Sequence, residues 1–201
     1  MQQAIEEAVR VLRNGGLILY PTDTVWGIGC DAANAEAVER IYTLKRSQNK
    51  KSMLVLCQSA DMVVRYVHRA PGVAFEVMEM ASSPLTLILP GATGLAPNLI
   101  PEEGTLGVRV PDHAFCQGML ARLGRPIVST SANLTGEPAP AKLPEVAREI
   151  LDGVDLVVSP RYEGKPTGRA SAIILFNEDA SFRIIRAVSY THLTLPTKRI
   201  V

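Results

Sequence analysis

Short apolar runs alternate with amphipathic helical patterns along this chain, and the alternation constrains its fold more than any other feature. Strands are predicted at 17–20, 52–57, 84–90, 105–111, 125–133, 155–159, 171–176 and 182–188. Helices are predicted at 4–13, 35–44, 60–67, 73–80, 114–123 and 143–151, with Asn34 capping the second. No linker or repeat divides the pattern, which predicts one α/β domain. Because no helix separates the strands at 84–90 and 105–111, the sheet is expected to be mixed.

Composition excludes several classes of protein. The 201 residues carry a net charge of +1, so bulk charge does not predict nucleic-acid binding. No apolar run approaches the roughly 18 residues that span a bilayer, and the N-terminus shows no signal-peptide core. Cys30, Cys57 and Cys116 form no CxxC pair, which favours buried reduced thiols over zinc or disulfides. We therefore predict a cytoplasmic protein without a membrane partner.

Hydroxyl-bearing residues cluster where four predicted strands begin or end. They are Thr22 and Thr24, Thr86, the segment 129–133, and Ser171. A single such residue is usually a turn or cap residue, but in α/β sheets ligands sit where strand ends and loops meet. The four clusters therefore predict a shared pocket.

Cations are available to such a pocket. The segment LKRSQNKKS (44–52) supplies Lys45, Arg46, Lys50 and Lys51 at a helix–strand junction, where they face either solvent or a phosphate-bearing ligand. Arg109 lies within an apolar strand and needs an anionic or carbonyl partner if it is buried. The nucleotide motif GxxxxGK[ST], the metal motif HExxH and the hydrolase motif GxSxG are all missing from the sequence.

Several of these segments resemble a known family in order and spacing. They are PTDTVWGIGCDA (21–32), LK before the basic loop, SPLTLILP (83–90), LGVRVPDH (106–113), PIVSTSANLTG (126–136), and SAII followed by RIIR (171–186). Together they are similar to the YrdC/TsaC family of threonylcarbamoyl-AMP synthases, over roughly residues 5–188.

The resemblance implies a fold and a reaction. The fold would be a single-domain twisted mixed sheet with helices packed around it and a concave basic groove. The enzyme, a nucleotidyltransferase, would combine L-threonine, bicarbonate or CO2, and ATP into threonylcarbamoyl-adenylate and pyrophosphate. A separate transferase would use the product to make threonylcarbamoyladenosine (t6A) in tRNA. Mg2+ would enter with ATP and need no dedicated protein ligands, and the resemblance also implies weak binding to double-stranded RNA.

The resemblance also assigns roles to residues. Thr24 and Ser171 match positions that bind threonine, with Thr22 and Asp23 shaping the turn. Catalytic positions are matched by Lys45, Ser131 and Asn133. Contacts to ATP are expected from Lys45, Lys51, Thr86, Ser129, Ser131, Asn133 and Arg186, whereas Arg109 is either structural or lines an anion site.

One departure from the family pattern leaves alternatives open. Ser47 occupies the position of the arginine in the family's Lys-x-Arg, so either the loop shifts or Lys50 or Lys51 supplies the charge. A YciO-like paralogue that binds RNA or a nucleotide, or a nucleotide sensor without turnover, therefore remains an alternative. We assign residues 1–188 to the family domain, and expect 189–201 to be a disordered or artefactual tail that matches no family motif.

Overall fold

The structure, a computed structural model, describes residues 1–47 and 53–187. Its helices are α1 (Gln2–Arg13), α2 (Ala35–Leu44), α3 (Ala60–Val64), α4 (Gly72–Met80), α5 (Ala114–Leu123) and α6 (Arg148–Gly153). Its strands are β1 (Ile18–Tyr20), β2 (Gly27–Asp31), β3 (Leu54–Leu56), β4 (Leu85–Pro90), β5 (Thr105–Arg109), β6 (Ile127–Ser131), β7 (Leu156–Val157), β8 (Ala172–Phe176) and β9 (Phe182–Arg186). The Asn34 side chain caps α2 by accepting a hydrogen bond from the Ala37 amide, as its sequence predicts.

All nine described strands form one sheet in the order β7-β1-β2-β6-β3-β5-β4-β8-β9. The pairs β1/β7, β3/β5 and β4/β8 are parallel, and the others are antiparallel. The predicted mixed α/β sheet is thus confirmed. The β4–β5 neighbours, which no helix separates in sequence, are antiparallel.

Alternation along the strands divides the core between the two faces of the sheet. On β1, Leu19 packs into the core beneath α2, α3 and α4, whereas Ile18 and Tyr20 pack against α1 and α5. Helices α1 and α5 contact each other and lie on one face of the sheet. They cover only the part of that sheet face around β1, β6 and β3. The part of this face around β4, β5 and β8 is left without a covering helix among the described residues.

Strand β2 is not among the strands that the sequence pattern predicts, which pass from residue 20 to residue 52. The structure pairs β2 with β1 and with β6, and all five of its residues are buried. Two glycines give the segment low strand propensity, so pairing on both sides, rather than propensity, determines its conformation.

Two predicted helices are shorter than expected. The helix predicted at 143–151 is divided into a 3-10 turn (Leu143–Glu145) and α6, because Ala147 between them is extended. Helix α3 ends at Val64, before the predicted residue 67. The tail predicted at 189–201 lies outside the described residues.

Candidate active site

A cavity of about 650 Å³ lies on the sheet face that α1 and α5 leave uncovered. The alternation of β5 shows which face this is, because Val108 lies in the core and outside the lining, whereas Thr105, Gly107 and Arg109 line the cavity. Its volume is in the range of small-molecule sites in proteins. The cavity crosses the middle of the sheet, so it is not confined to the strand ends where the sequence pattern places it.

The predicted hydroxyl clusters converge on this cavity. Its lining includes Thr22, Thr24, Thr86, Ser129, Ser131, Asn133, Ser171 and Arg186, together with Arg109. These residues come from the turn after β1, from β4, β5, β6 and β9, and from the segments directly after β6 and before β8, and the fold brings them to one face. The expectation of a shared pocket is therefore confirmed, whereas the role of each residue in binding or catalysis stays a prediction.

The turn between β1 and β2 is fixed by its own hydroxyls. The Thr22 hydroxyl donates to the Val25 carbonyl at 2.8 Å, so the 2.9 Å contact between the two threonine Oγ1 atoms has Thr24 as its donor. Thr22 Oγ1 also accepts a bond from the Thr24 amide at 3.0 Å. The hydroxyl proton of Thr24 is therefore used within the turn, and Thr24 Oγ1 remains an acceptor at the cavity wall.

Arg109 and Asp23 form a buried ion pair beside this turn. Arg109 Nη1 lies 2.6 Å from Asp23 Oδ1, and both side chains are less than a tenth exposed. The Arg109 Nε is buried and has no hydrogen-bond partner among the residues that the structure describes. Arg109 therefore forms a buried ion pair and also lines the cavity, and its predicted role at an anion site stays a prediction.

The end of β6 supplies the second group of polar residues. Ser129 Oγ accepts a bond from the Tyr20 hydroxyl at 2.7 Å. The Asn133 amide nitrogen donates to the carbonyls of Leu134 and Glu137, at 2.9 and 2.7 Å. The Asn133 Oδ1 is buried without a hydrogen-bond partner in the described part of the chain, which leaves an acceptor free at the cavity.

Lys45 lies behind this segment rather than in the cavity wall. Its Nζ donates to the carbonyls of Ser131 and Asn133, each at 2.5 Å, and it is not among the residues that line the cavity. Burial lowers the pKa of Lys45 to about 8. In the described conformation Lys45 fixes the backbone of the β6 end, and its predicted contact with nucleotide phosphates stays a prediction.

A third group joins β4, β8 and β9. Thr86 Oγ1 and Ser171 Oγ are 2.7 Å apart, and Arg186 Nε donates to the Ser171 carbonyl at 2.8 Å. Burial lowers the pKa of Arg186 from its usual value, although a guanidinium stays protonated. Arg186 and Arg109 are the two cations in the described lining, which also contains Glu103 and Glu137. The predicted basic groove thus stays a prediction.

The basic loop is described only in part. Arg46 pairs with Glu149 of α6 at 2.8 Å, away from the cavity, and Ser47 lies beyond it with its amide bonded to the Tyr42 carbonyl. Lys50 and Lys51 lie outside the described residues. The prediction that one of these two lysines replaces the charge of the family arginine stays a prediction.

Cys30, Cys57 and Cys116 are buried, as predicted, and their thiols are free. Within residues 1–47 and 53–187, no three His, Cys, Asp or Glu side chains gather as metal ligands would. A search of the same residues finds no helix whose length and hydropathy would let it span a membrane.

Comparison with known proteins identifies relatives of similar length. The sequence model of the Sua5_yciO_yrdC family, described as "Telomere recombination", matches residues 10–187. The threonylcarbamoyl-AMP synthase of Vibrio cholerae is 34% identical over 169 residues, which are 82% of this chain and 87% of the relative. The enzyme of the same name from Halorhodospira halophila is 31% identical over 177 residues, 85% of this chain and 93% of that one.

Solved structures share the fold. E. coli YciO superposes with a TM-score of 0.76 at 28% identity, over 92% of this chain and 89% of YciO. Sua5 of P. abyssi, in a complex with L-threonine, has a TM-score of 0.80 at 25% identity. That alignment covers 88% of this chain but only 52% of Sua5, so the chain spans about half the length of Sua5.

Proposed function

Because the chain belongs to the Sua5/YciO/YrdC family, whose model matches residues 10–187, we propose that it is an L-threonylcarbamoyladenylate synthase. The proposed reaction joins L-threonine, bicarbonate or CO2, and ATP into threonylcarbamoyl-adenylate, with release of pyrophosphate. One observation carries the proposal. Two groups of polar residues, around Thr24 and around Ser131, line one cavity that is large enough for L-threonine and ATP together. The names of the bacterial relatives and the threonine complex of Sua5 support this assignment.

We place threonine at the end of the cavity formed by the Thr24 turn and Ser171. The Thr24 oxygen is an acceptor suited to the ammonium or hydroxyl of an amino acid. The Arg109 Nε has a free donor that suits a carboxylate. Since the Thr86 and Ser171 hydroxyls share one hydrogen bond, the proton of the second hydroxyl is left to face a substrate.

We place ATP along the Ser129–Asn133 segment, with Arg186 at the other wall. In the proposed reaction, the unprotonated amine of threonine bonds to the carbon of CO2 and loses a proton, which gives a carbamate. A carbamate oxygen then bonds to the α-phosphorus, and the bond to the β-phosphate oxygen breaks. Donors and guanidinium groups would stabilise the charge that develops on the phosphates, and holding the reactants together can contribute up to about 7–11 kcal/mol.

Mg2+ belongs to this proposal as part of the Mg–ATP substrate. Magnesium commonly binds through substrate phosphates and one or two carboxylates. Glu103 and Glu137 are the carboxylates that the described lining offers, and they can face such a complex without forming a dedicated cage. No residue is assigned to the metal itself.

The proposal extends to the setting of the enzyme. The labile adenylate requires a second enzyme, a transferase that places the threonylcarbamoyl group on tRNA as t6A, and we propose that both act in the cytoplasm. The unpaired buried cysteines are compatible with a reducing compartment. The nucleotide- or RNA-binding paralogue is less favoured, because the bacterial relatives carry the name of the synthase.

One assay tests the function. The protein is incubated with ATP, Mg2+, bicarbonate and labelled threonine, and both pyrophosphate and the labelled adenylate are measured. We expect threonine-dependent formation of both products. A folded protein that binds ATP but forms neither product would contradict the synthase and favour the paralogue.

Matched variants locate the activity in the cavity. Ser131→Ala removes a hydroxyl from the cavity wall and is expected to lower kcat/KM for ATP roughly 10- to 100-fold, because bonds to charged groups contribute more than neutral ones. Ser159→Ala removes an exposed hydroxyl beyond β7 and should leave kcat/KM unchanged. Equal kcat/KM values for the two variants would contradict the proposed location.

A further inference from the structure

Tyr20, the last residue of β1, is fully buried and reaches across the neighbouring strand β2. Its ring lies over Gly29, where an added Cβ would come within 2.9 Å of Tyr20 Cε1 and 2.8 Å of the Val128 carbonyl oxygen. Gly27 likewise has Tyr20 Cζ 3.6 Å from a built Cβ. The GxG of this sequence therefore provides room for a tyrosine ring between β1 and β6.

The Tyr20 hydroxyl contacts Ser129, a residue of the cavity wall. It donates to Ser129 Oγ at 2.7 Å, and no acceptor for the Ser129 proton lies within hydrogen-bond distance among the described residues. Burial raises the pKa of Tyr20 far above its usual value, so the phenol remains a donor throughout the working pH range. The Ser129 proton is thereby available to a molecule in the cavity.

We propose that Tyr20 is a positioning residue that turns the Ser129 hydroxyl toward the cavity, where it donates to an anionic oxygen of the nucleotide. This inference rests on the proposed function. With the phenol proton on one lone pair of Ser129 Oγ, the serine proton points away from Tyr20. A hydroxyl that accepts one hydrogen bond also becomes a stronger donor in a second.

A double-mutant cycle tests this role. Tyr20→Phe keeps the ring over β2 and removes only the hydroxyl, so we expect the KM for ATP to rise about three- to tenfold with little change in kcat. Ser129→Ala should raise the KM at least as much. Because Tyr20 acts through Ser129, the double variant should resemble Ser129→Ala.

Two further measurements separate positioning from folding. Tyr42→Phe, which removes another buried phenol hydroxyl that bonds the Asn98 carbonyl, should leave the KM for ATP unchanged. The dissociation constant of a non-reactive ATP analogue, measured by calorimetry, should change in parallel with the KM. The melting temperature of each variant shows how much of any effect is structural.

The outcomes distinguish this inference from the proposed function. Effects of Tyr20→Phe and Ser129→Ala that multiply in the double variant, or a wild-type KM for Tyr20→Phe, would overturn the positioning role while the synthase reaction stands. Binding of the analogue that shows the expected cycle, without adenylate formation, would overturn the synthase and support the positioning of a nucleotide. A wild-type protein that binds no nucleotide would overturn both.

Discussion

Asp23 and Arg109 show how strongly the cavity depends on single residues. Their side chains are 9% and 5% exposed, and one charge without the other would be buried with no counter-ion. We expect Asp23→Asn to lower the free energy of unfolding by about 3–5 kcal/mol, measured by urea denaturation.

The matched control is the exposed pair Arg148–Asp152 on α6, with side chains 84% and 60% exposed. Asp152→Asn should change the free energy of unfolding by less than about 1 kcal/mol, since exposed pairs contribute little. If the two variants lose similar stability, the Asp23–Arg109 pair does not hold the wall of the cavity as described.

Lys45 is expected to make the free energy of unfolding increase with pH in the alkaline range. Its pKa is lowered from 10.5 to about 8 in the folded state, because burial disfavours the charged form. Between these values the unfolded chain binds more protons than the native one, so the free energy of unfolding rises with pH through this window. Between pH 8 and 10.5, we expect the free energy of unfolding of the wild type to rise by about 3 kcal/mol relative to that of Lys45→Met.

This gain is measured as the difference between wild-type and variant urea curves across the pH range. The exposed Lys165→Met is the control and should show a pH-independent difference. A Lys45→Met difference that stays constant with pH would mean that the ammonium is not buried against the carbonyls of Ser131 and Asn133.

Sequence reasoning could find the polar residues but not the orientation of every side chain. The hydroxyls of Thr24, Ser131 and Ser171 are recognisable because they lie near the ends of apolar strands, and the fold brings them together. The position of Lys45 behind the cavity depends on carbonyls about 90 residues away in sequence, and no local pattern shows them. The packing of the Tyr20 ring depends likewise on β2, a strand that the pattern missed.

Strand β2 is the element on which the site depends and the one with the weakest sequence signal. Gly29 must remain without a side chain because the Tyr20 ring and the Val128 carbonyl occupy the space beside it. Gly29→Ala is expected to lower the free energy of unfolding by about 1–3 kcal/mol through overpacking, and to raise the KM for ATP by displacing Tyr20.

Gly72→Ala is a suitable comparison, because Gly72 lies at the start of α4 and, apart from its chain neighbours and its own helix backbone, no atom of the described residues comes within 4 Å of a built Cβ. That substitution should be neutral or slightly stabilising, since alanine restricts the unfolded chain. A Gly29→Ala variant as stable and as active as Gly72→Ala would show that β2 can move aside, contrary to the packing described.

The other elements follow more directly from the sequence. Helix α2 is predicted to the residue because a capping asparagine and an apolar stripe indicate the same start. Strands β4 and β5 are recognisable by their apolar alternation and by the prolines at 84, 90 and 111 that bound them. Segment 143–151 is divided because Ala147 adopts an extended conformation, which helical periodicity alone does not show.

At the scale of the whole molecule, function depends on incomplete coverage of one sheet face. Helices α1 and α5 pack around β1, β6 and β3, while α2, α3 and α4 pack on the opposite face. The uncovered part includes Thr105 and Arg109 of β5 and carries a cavity of about 650 Å³. Residues distant in sequence thus reach one site on a single sheet.

The most direct test of this account is an NMR titration of the labelled protein with L-threonine and a non-reactive ATP analogue. We predict that threonine shifts the backbone amides of Thr24 and Ser171, that the analogue shifts those of Ser131 and Asn133, and that both ligands bind at once. Competition between the two ligands, or shifts confined to the opposite face around Glu36 and Gly153, would contradict the shared cavity.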